Sequence, residues 1–277
     1  MTPPDLIDSR LTVEGRVATL TLHRDDVRNE LTGTLLAGEI VAVADWISRE
    51  ESISVLVLTG MGAAFCAGGN IKHMHERGLP GNEGGTFSGD AYTVQNRYRH
   101  GIQRMALAMH KLEVPSIAAV NGAAVGAGCD LACMCDIRIG STEAKIGETF
   151  VNLGLIPGDG GAWFLQRVVG YQRAAEMTFS GRLLDAAEAQ AIGLFLETVP
   201  PEALLPRART LAESFAAKPP QALRLAKRLL RAAQGTAPLP DHLELCAVFQ
   251  GLAHNTEDHT EAVAAFLDHR PAAFKGR

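Results

Sequence analysis

The stretch that decides the reading is Asn121-Gly122-Ala123-Ala124-Val125-Gly126-Ala127-Gly128-Cys129-Asp130. It follows Ser116–Val120, a short apolar run of the kind that forms a strand covered on both faces. Small residues fill the turn, so a ligand can approach the main chain closely. A helix is predicted to open at Gly126 and run through Cys133, and its first turn carries unpaired N–H groups and the positive end of the dipole. A second turn of the same character, Phe65-Cys66-Ala67-Gly68-Gly69-Asn70-Ile71-Lys72, follows the apolar run Val55–Leu58. Gly69 and Ala127 would each offer a backbone N–H, and two converging N–H groups make an oxyanion hole. Taken bare, each turn is equally compatible with ordinary turn chemistry. Gly126-Ala127-Gly128 also lacks the third glycine of a dinucleotide fingerprint.

Outward from these turns, Arg10–Val13 and Val17–Leu22 alternate apolar and polar around Glu14-Gly15, a hairpin signal. Thr32 is expected to cap a helix running to Glu50, with Leu35, Leu36, Ile40, Val43 and Ile47 on one stripe. Leu79–Asp90 reads as a long loop with Gly81, Gly84 and Gly85, and a helix is expected from Ala91 to Leu112. Asp136–Ile139 and Phe195–Val199 read as strands. After Gly160 the pattern is otherwise helical, broken at Pro219-Pro220, Pro238 and Pro240. The fold class is α/β. Residues 1–193 alternate strand and helix, and residues 194–277 form a mainly helical appendix.

The chain has 277 residues, 47% hydrophobic and 21% charged, which excludes disorder and fibre. A chain this long buries roughly three quarters of its unfolded surface, so its core needs no staples. The net charge of -5 argues against a sequence-blind grip on nucleic acid or anionic membrane. Five cysteines form no disulfide framework and read as buried thiols in a reducing compartment. The opening MTPPDLIDSR has no apolar core of a targeting signal, and Ile117–Cys135 is interrupted by Asn121 and Asp130, so no membrane span is expected. The expected location is the cytoplasm.

At this point a resemblance becomes specific. FCAGGNIKHM and AAVNGAAVGAGCDLACMCDIRI resemble two signatures of the enoyl-CoA hydratase/isomerase (crotonase) family, and Gly154–Gly161 (GLIPGDGG) resembles a third. Arg28-Asn29-Glu30-Leu31 resembles the family's basic-X-Asn-X-Leu entry, and Glu261–Arg277 its C-terminal helix. The likeness runs in order along nearly the whole chain. It implies a crotonase-like spiral of ββα units with a C-terminal helical trimerisation region, and a homo-oligomer, trimer or dimer of trimers. It implies an acyl-CoA thioester substrate, with CoA entering as part of the substrate and neither metal nor redox cofactor. It also implies that the N–H groups of Gly69 and Ala127 hold the thioester oxygen as it becomes enolate-like, where fixed dipoles stabilise charge that develops in the transition state.

The acids depart from the family pattern. Family hydratases place two glutamates around one water. The first position here is Asp130, shorter by one methylene, as in dienoyl-type isomerases of the family. The second is Phe150, which cannot move a proton. Two carboxylates could substitute: Glu148, which on an extended segment would share Phe150's face, and Asp159 in the Pro157–Gly160 turn. Ring-isomerising relatives carry an acid in that turn one residue earlier, where this chain has Gly158. A carboxylate in an apolar pocket has its pKa raised and becomes a usable acid or base. Each also has a plain structural reading: Asp130 as a helix-dipole partner, Glu148 as a surface or ion-pair residue, Asp159 as the N-cap of a following helix.

For CoA, the resemblance assigns Arg28 to a phosphate and Ala67, Asn70 and Ile71 to the adenine and pantetheine path, with Asn70 in place of the more usual Asp. It lets Phe266 of a neighbouring subunit cover the adenine, a residue that fits equally well as core. His269 stands where a family lysine often binds phosphate. His73, His75 and Glu76 lack the second His at helical spacing that a metal motif needs, and His254 and His259 are not expected to share a helix face. No G-x-S-x-G elbow is present, and no histidine is placed to activate Cys129.

The leading expectation is a hydratase-type lyase acting on a 2,3-unsaturated acyl-CoA. The alternative is a double-bond isomerase of enoyl, dienoyl or ring-epoxide type using Asp130 with Glu148 or Asp159. A different class, a non-catalytic CoA- or RNA-binding protein, is disfavoured for RNA because the helix from Leu35 to Glu50 carries Arg49 beside Glu39, Asp45 and Glu50.

Overall fold

The computed structural model describes residues 1–77, 79 and 87–277. Most of the loop expected over Leu79–Asp90 lies outside the described residues. The chain opens with the expected hairpin, β1 (Ser9–Glu14) and β2 (Val17–Leu22), followed by α1 (Leu36–Arg49). Next come β3 (Val55–Gly60), β4 (Ala64–Cys66), α2 (Ile71–His75), α3 (Ala91–His100) and α4 (Ile102–Lys111). A second round supplies β5 (Ser116–Val120), β6 (Ala123–Val125) and α5 (Ala127–Met134). A third supplies β7 (Ile137–Ser141), β8 (Lys145–Gly147), α6 (Gly161–Val169) and α7 (Tyr171–Ser180). The remainder is β9 (Leu184–Asp185), α8 (Ala186–Ala191), β10 (Glu197–Val199), α9 (Pro201–Ala216), α10 (Pro220–Ala233), α11 (Leu239–His254) and α12 (Glu257–Leu267).

Each round sends its first strand to one sheet and its second to another. The larger sheet runs β1-β2-β3-β5-β7-β10 and the smaller β4-β6-β8-β9. The pairings β3·β5·β7 and β4·β6·β8 are all parallel, so successive ββα units stack as a spiral. The smaller sheet was not foreseen: its strands are two or three residues long, too short for an alternation to register.

The continuous apolar run of β3 is explained by cover on both faces. Leu56 and Leu58 join the main core with Leu20, Ile40 and Phe65. Val55 and Val57 face the other way, against Ile117, Ile139 and the Leu204, Ala208 and Ala212 stripe of α9. Residues beyond 193 therefore return to the sheet: β10 pairs with β7, and α9 covers its outer face.

Three local expectations are corrected. Thr32 does not cap α1, which starts at Leu36 without a side-chain cap; the Thr32 Oγ1 accepts from the Asn70 N–H at 2.7 Å and ties two loops together. The helix expected from Ala91 to Leu112 breaks at Gly101, whose backbone leaves the helical region at φ -111, ψ -111. The strands begin at Ile137 and Glu197 rather than at 136 and 195, because Asp136 turns its carboxylate back to the Ser116 N–H and Phe195 is a buried core residue.

Helix α10 is held by cations at the carbonyl ends of two other helices. Arg224 donates to the Glu50 and Ile53 carbonyls at 3.2 and 3.1 Å, beyond the end of α1. Arg231 donates to the Met109 and Leu112 carbonyls at 3.2 and 2.9 Å, at the end of α4. Positive charge at a helix C-terminus answers both the unpaired carbonyls and the dipole. The buried Lys227 adds a bond to the Val114 carbonyl and a 2.6 Å pair with Asp136. Among the described residues no helix is long and apolar enough to cross a membrane.

Candidate active site

The two glycine turns leave the ends of adjacent parallel strands, β4 and β6, where Cys66 pairs with Ala124. Gly68 adopts φ +83, and a Cβ there would collide with the Val125 carbonyl and lie 3.2 Å from the Ala127 nitrogen. A Cβ on Gly128 would overlap the Cys66 carbonyl. Glycine is thus required for the turns to lie against each other. The first turn is further pinned by Leu31 N–H to Gly68 O at 2.7 Å and Ala67 N–H to Arg28 O at 2.9 Å. Gly69 and Ala127 both line a cavity of about 520 Å³, and their N–H groups have no acceptor among the described residues.

Asp159 and Phe150 lie on the same cavity wall. Asp159 is buried and caps nothing: α6 starts at Gly161 behind Gly160, without a side-chain cap. Asp130, three residues into the opening turn of α5, is fully buried. No donor among the described residues reaches either oxygen of Asp130 or of Asp159. Asp130 bears on both Asp159 and Glu148, and carboxyls crowded in this way can coexist only if not all are ionised. Burial, then the charge of Asp159, pushes the Asp130 pKa well above the ordinary range. Asp159 is also raised by burial, with the neighbouring Asp130 opposing the rise.

Glu148 is buried, not on the surface and not ion-paired. Its Oε2 accepts from Thr178 Oγ1 at 2.5 Å, while Oε1 has no partner among the described residues. Burial raises its pKa too. The shared face expected for Glu148 and Phe150 does not exist. Thr149 turns the chain, and Phe150–Leu153 forms a tight 3-10 turn that lays the Phe150 ring beside Gly126. Glu148 is not on the cavity wall.

The residues assigned to CoA lie apart from this cavity. Arg28 is exposed in the left-handed region at φ 53, and Ile71 is 59% exposed. Ala67 is half-buried. Asn70 is engaged structurally: its Oδ1 accepts from the His73 N–H, capping α2, and its side-chain N–H donates to Glu30 at 2.6 Å. Phe266 is 79% exposed and belongs to no core of this chain. His254 and His259 share no helix face, yet they meet across the turn between α11 and α12, with Nδ1 to Nε2 at 3.0 Å. All five cysteines are free, and burial pushes Cys66 and Cys135 up to about 12. Cys129 is raised as well, first by its bond with Cys133 and then by burial, so it is no thiolate nucleophile.

The reading from residues missed several cavity-lining groups, among them Thr32, Met74, Tyr98 and Arg104. Arg97 and His100 stand three residues apart on α3, but the break at Gly101 decides where Arg104 comes to lie, and nothing in the sequence says what these residues meet.

Paired parallel strands splitting between two sheets, glycine turns over one cavity and a returning helical tail define the crotonase fold. Residues 12–277 match the family described as enoyl-CoA hydratase/isomerase, and the chain belongs to that family. It is 37% identical over 273 residues to a 2,3-dehydroadipyl-CoA hydratase of Escherichia coli K12, covering 99% of both chains. It is 36% identical over 265 residues to a 1,2-epoxyphenylacetyl-CoA isomerase of the same organism, covering 96% of this chain and 97% of that one. Among solved structures it resembles an enoyl-CoA hydratase of Bacillus anthracis, with TM-score 0.87 and 31% identity, covering 98% of this chain and 100% of that one. The protein is therefore an enzyme of the hydratase/isomerase family.

Proposed function

We propose that the protein adds water across the 2,3-double bond of an acyl-CoA thioester. The amides of Gly69 and Ala127 receive the thioester oxygen and stabilise the enolate that forms when water attacks Cβ. Asp159, the one of the three acids on the cavity wall, takes the proton from that water in its ionised form. The proton shared between Asp130 and Asp159 is delivered to Cα, and the pair finishes with the proton count it began with. The observation that carries this reading is the burial of Asp159 with both oxygens unpartnered, on the wall that also bears Gly69 and Ala127.

A second reading has its own support. Asp159 is the one carboxyl of the three on the cavity wall, and Phe150 fills the position of the family's second acid. A single shuttling carboxyl suffices for double-bond isomerisation, and one relative is an isomerase. Incubation of 2-enoyl- and 3-enoyl-CoA esters in heavy-oxygen water separates the two. Label appearing in a 3-hydroxyacyl product supports hydration, whereas shifted double bonds without label support isomerisation. Asp159→Asn and Asp130→Asn should each lower turnover by about 100-fold or more; full activity in both would remove the pair from the mechanism.

The same reading takes CoA in with the substrate and adds no metal or redox cofactor. It places CoA along Arg28, Ala67, Asn70 and Ile71, with Phe266 of a neighbouring copy over the adenine in a cytoplasmic trimer or dimer of trimers.

A further inference from the structure

The cavity that holds the two amides is also lined by charged groups from three helices. One wall is the face of α1 bearing Ala37, Val41 and Asp45; the other is the α3–α4 face bearing Arg97, His100 and Arg104. None of Arg28, Ala67, Asn70 and Ile71 lies on it, so under the acyl-CoA reading, on which this inference rests, the cavity is the acyl compartment and not the CoA channel. Its α1 wall is narrow-chained near the amides and carries a charge only at Asp45, about 12 Å further along at 1.5 Å per residue.

Arg97 and His100 on α3 and Arg104 on α4 line the cavity from either side of the break at Gly101. Arg97 is engaged with the Ser88 carbonyl. Arg104 is exposed and has no hydrogen-bond or ion-pair partner among the described residues, not even Asp45 across the cavity. Two guanidinium groups and an imidazole thus stand on the α3–α4 side of the cavity, with Asp45 on the α1 side. A saturated hydrocarbon end would gain nothing there from an unpaired guanidinium, whereas a carboxylate matches its fork of donors. We infer that the enzyme takes acyl-CoA esters whose acyl chain ends in a carboxylate, recognised by Arg104 with His100 beside it.

The test is calorimetric binding of saturated esters to the full chain, so that no turnover is needed. Hexanoyl-CoA is compared with adipyl-CoA, and octanoyl-CoA with the eight-carbon diacid ester. In the wild type the acid-ended member of at least one pair should bind more tightly. Arg104→Gln should lower the ratio of acid-ended to methyl-ended affinity on the order of 10-fold, the low end for an arginine–carboxylate contact that stays partly in water. Asp45→Asn should raise the same ratio. Equal affinity within both pairs in the wild type, or a ratio unmoved by Arg104→Gln, overturns the inference. Equal loss for both members overturns it too, because Arg104 would then hold a group common to all CoA esters. Failure of all four esters, and of CoA itself, to bind would instead sink the acyl-CoA reading beneath it.

Discussion

The Asp130 carboxylate occupies the space that a Cβ on Gly161 would need. The start of α6 is thereby built onto the side chain it helps to bury, with the positive end of that helix facing the acid. Gly161→Ala should displace Asp130 or α6. A shift of ~1 Å can cost on the order of 100-fold in rate, and overpacking typically costs about 1–3 kcal/mol. Thermal melts and steady-state turnover of this variant check both; wild-type values for either would mean the contact has slack.

Burial raises the pKa values of Asp130, Glu148 and Asp159 above the ordinary carboxyl range. The folded state thus binds protons more tightly than the unfolded chain. The stability these groups contribute is fully present below their unfolded values, about 4, and is lost as pH rises through the raised ones. Asp130→Asn, neutral at every pH, should therefore raise stability at neutral pH by about 1–3 kcal/mol, the cost of an ill-satisfied buried polar group. It should also flatten the pH dependence of the melting temperature while activity collapses. A lower melting temperature at neutral pH would contradict the sign.

Glu148 lies off the cavity and is held by Thr178. Glu148→Gln should therefore cost less than 10-fold in turnover, against ~100-fold or more for Asp159→Asn. Rate measurements on the two variants rank them, and the reverse order would make Glu148 the working acid.

Asn29 is fully buried in the left-handed region at φ 56. It accepts from the Arg24 N–H at 2.8 Å and donates to the Met61 and Ala64 carbonyls at 3.0 and 2.9 Å. Asn29→Leu should cost about 2–4 kcal/mol, from stranded buried groups and a bulkier residue in a strained conformation. Denaturant unfolding reads this directly, and a loss under 1 kcal/mol would refute it.

Lys227 is buried against Asp136, and burial lowers its pKa to about 8. Its depressed value means that the cost of holding it charged is present at lower pH and is relieved as pH rises past about 8. Lys227→Met removes that charge but strands the Val114 carbonyl and leaves Asp136 with Ser116 and Arg231 alone. A net loss of about 1–3 kcal/mol is expected at pH 7, growing at pH 9, where the wild type has shed the cost of the buried charge and the variant has none to shed. Chemical denaturation at the two pH values measures the difference.

The sequence by itself determined the strands of the larger sheet, the glycine turns and the acids. A strand covered on both faces must be apolar throughout, as Val55–Leu58 is. A turn pressed against a neighbouring carbonyl must be glycine, as Gly128 is. Such constraints act through single residues and are written in the chain. Tertiary structure alone decided which of those acids meet. Glu148 lies two residues from Phe150 and Asp159 nine, yet the nearer one is held by Thr178 off the cavity and the remoter one reaches its wall. That choice is set by how α5, α6 and α7 pack, through contacts between residues far apart in sequence, and no local pattern records it.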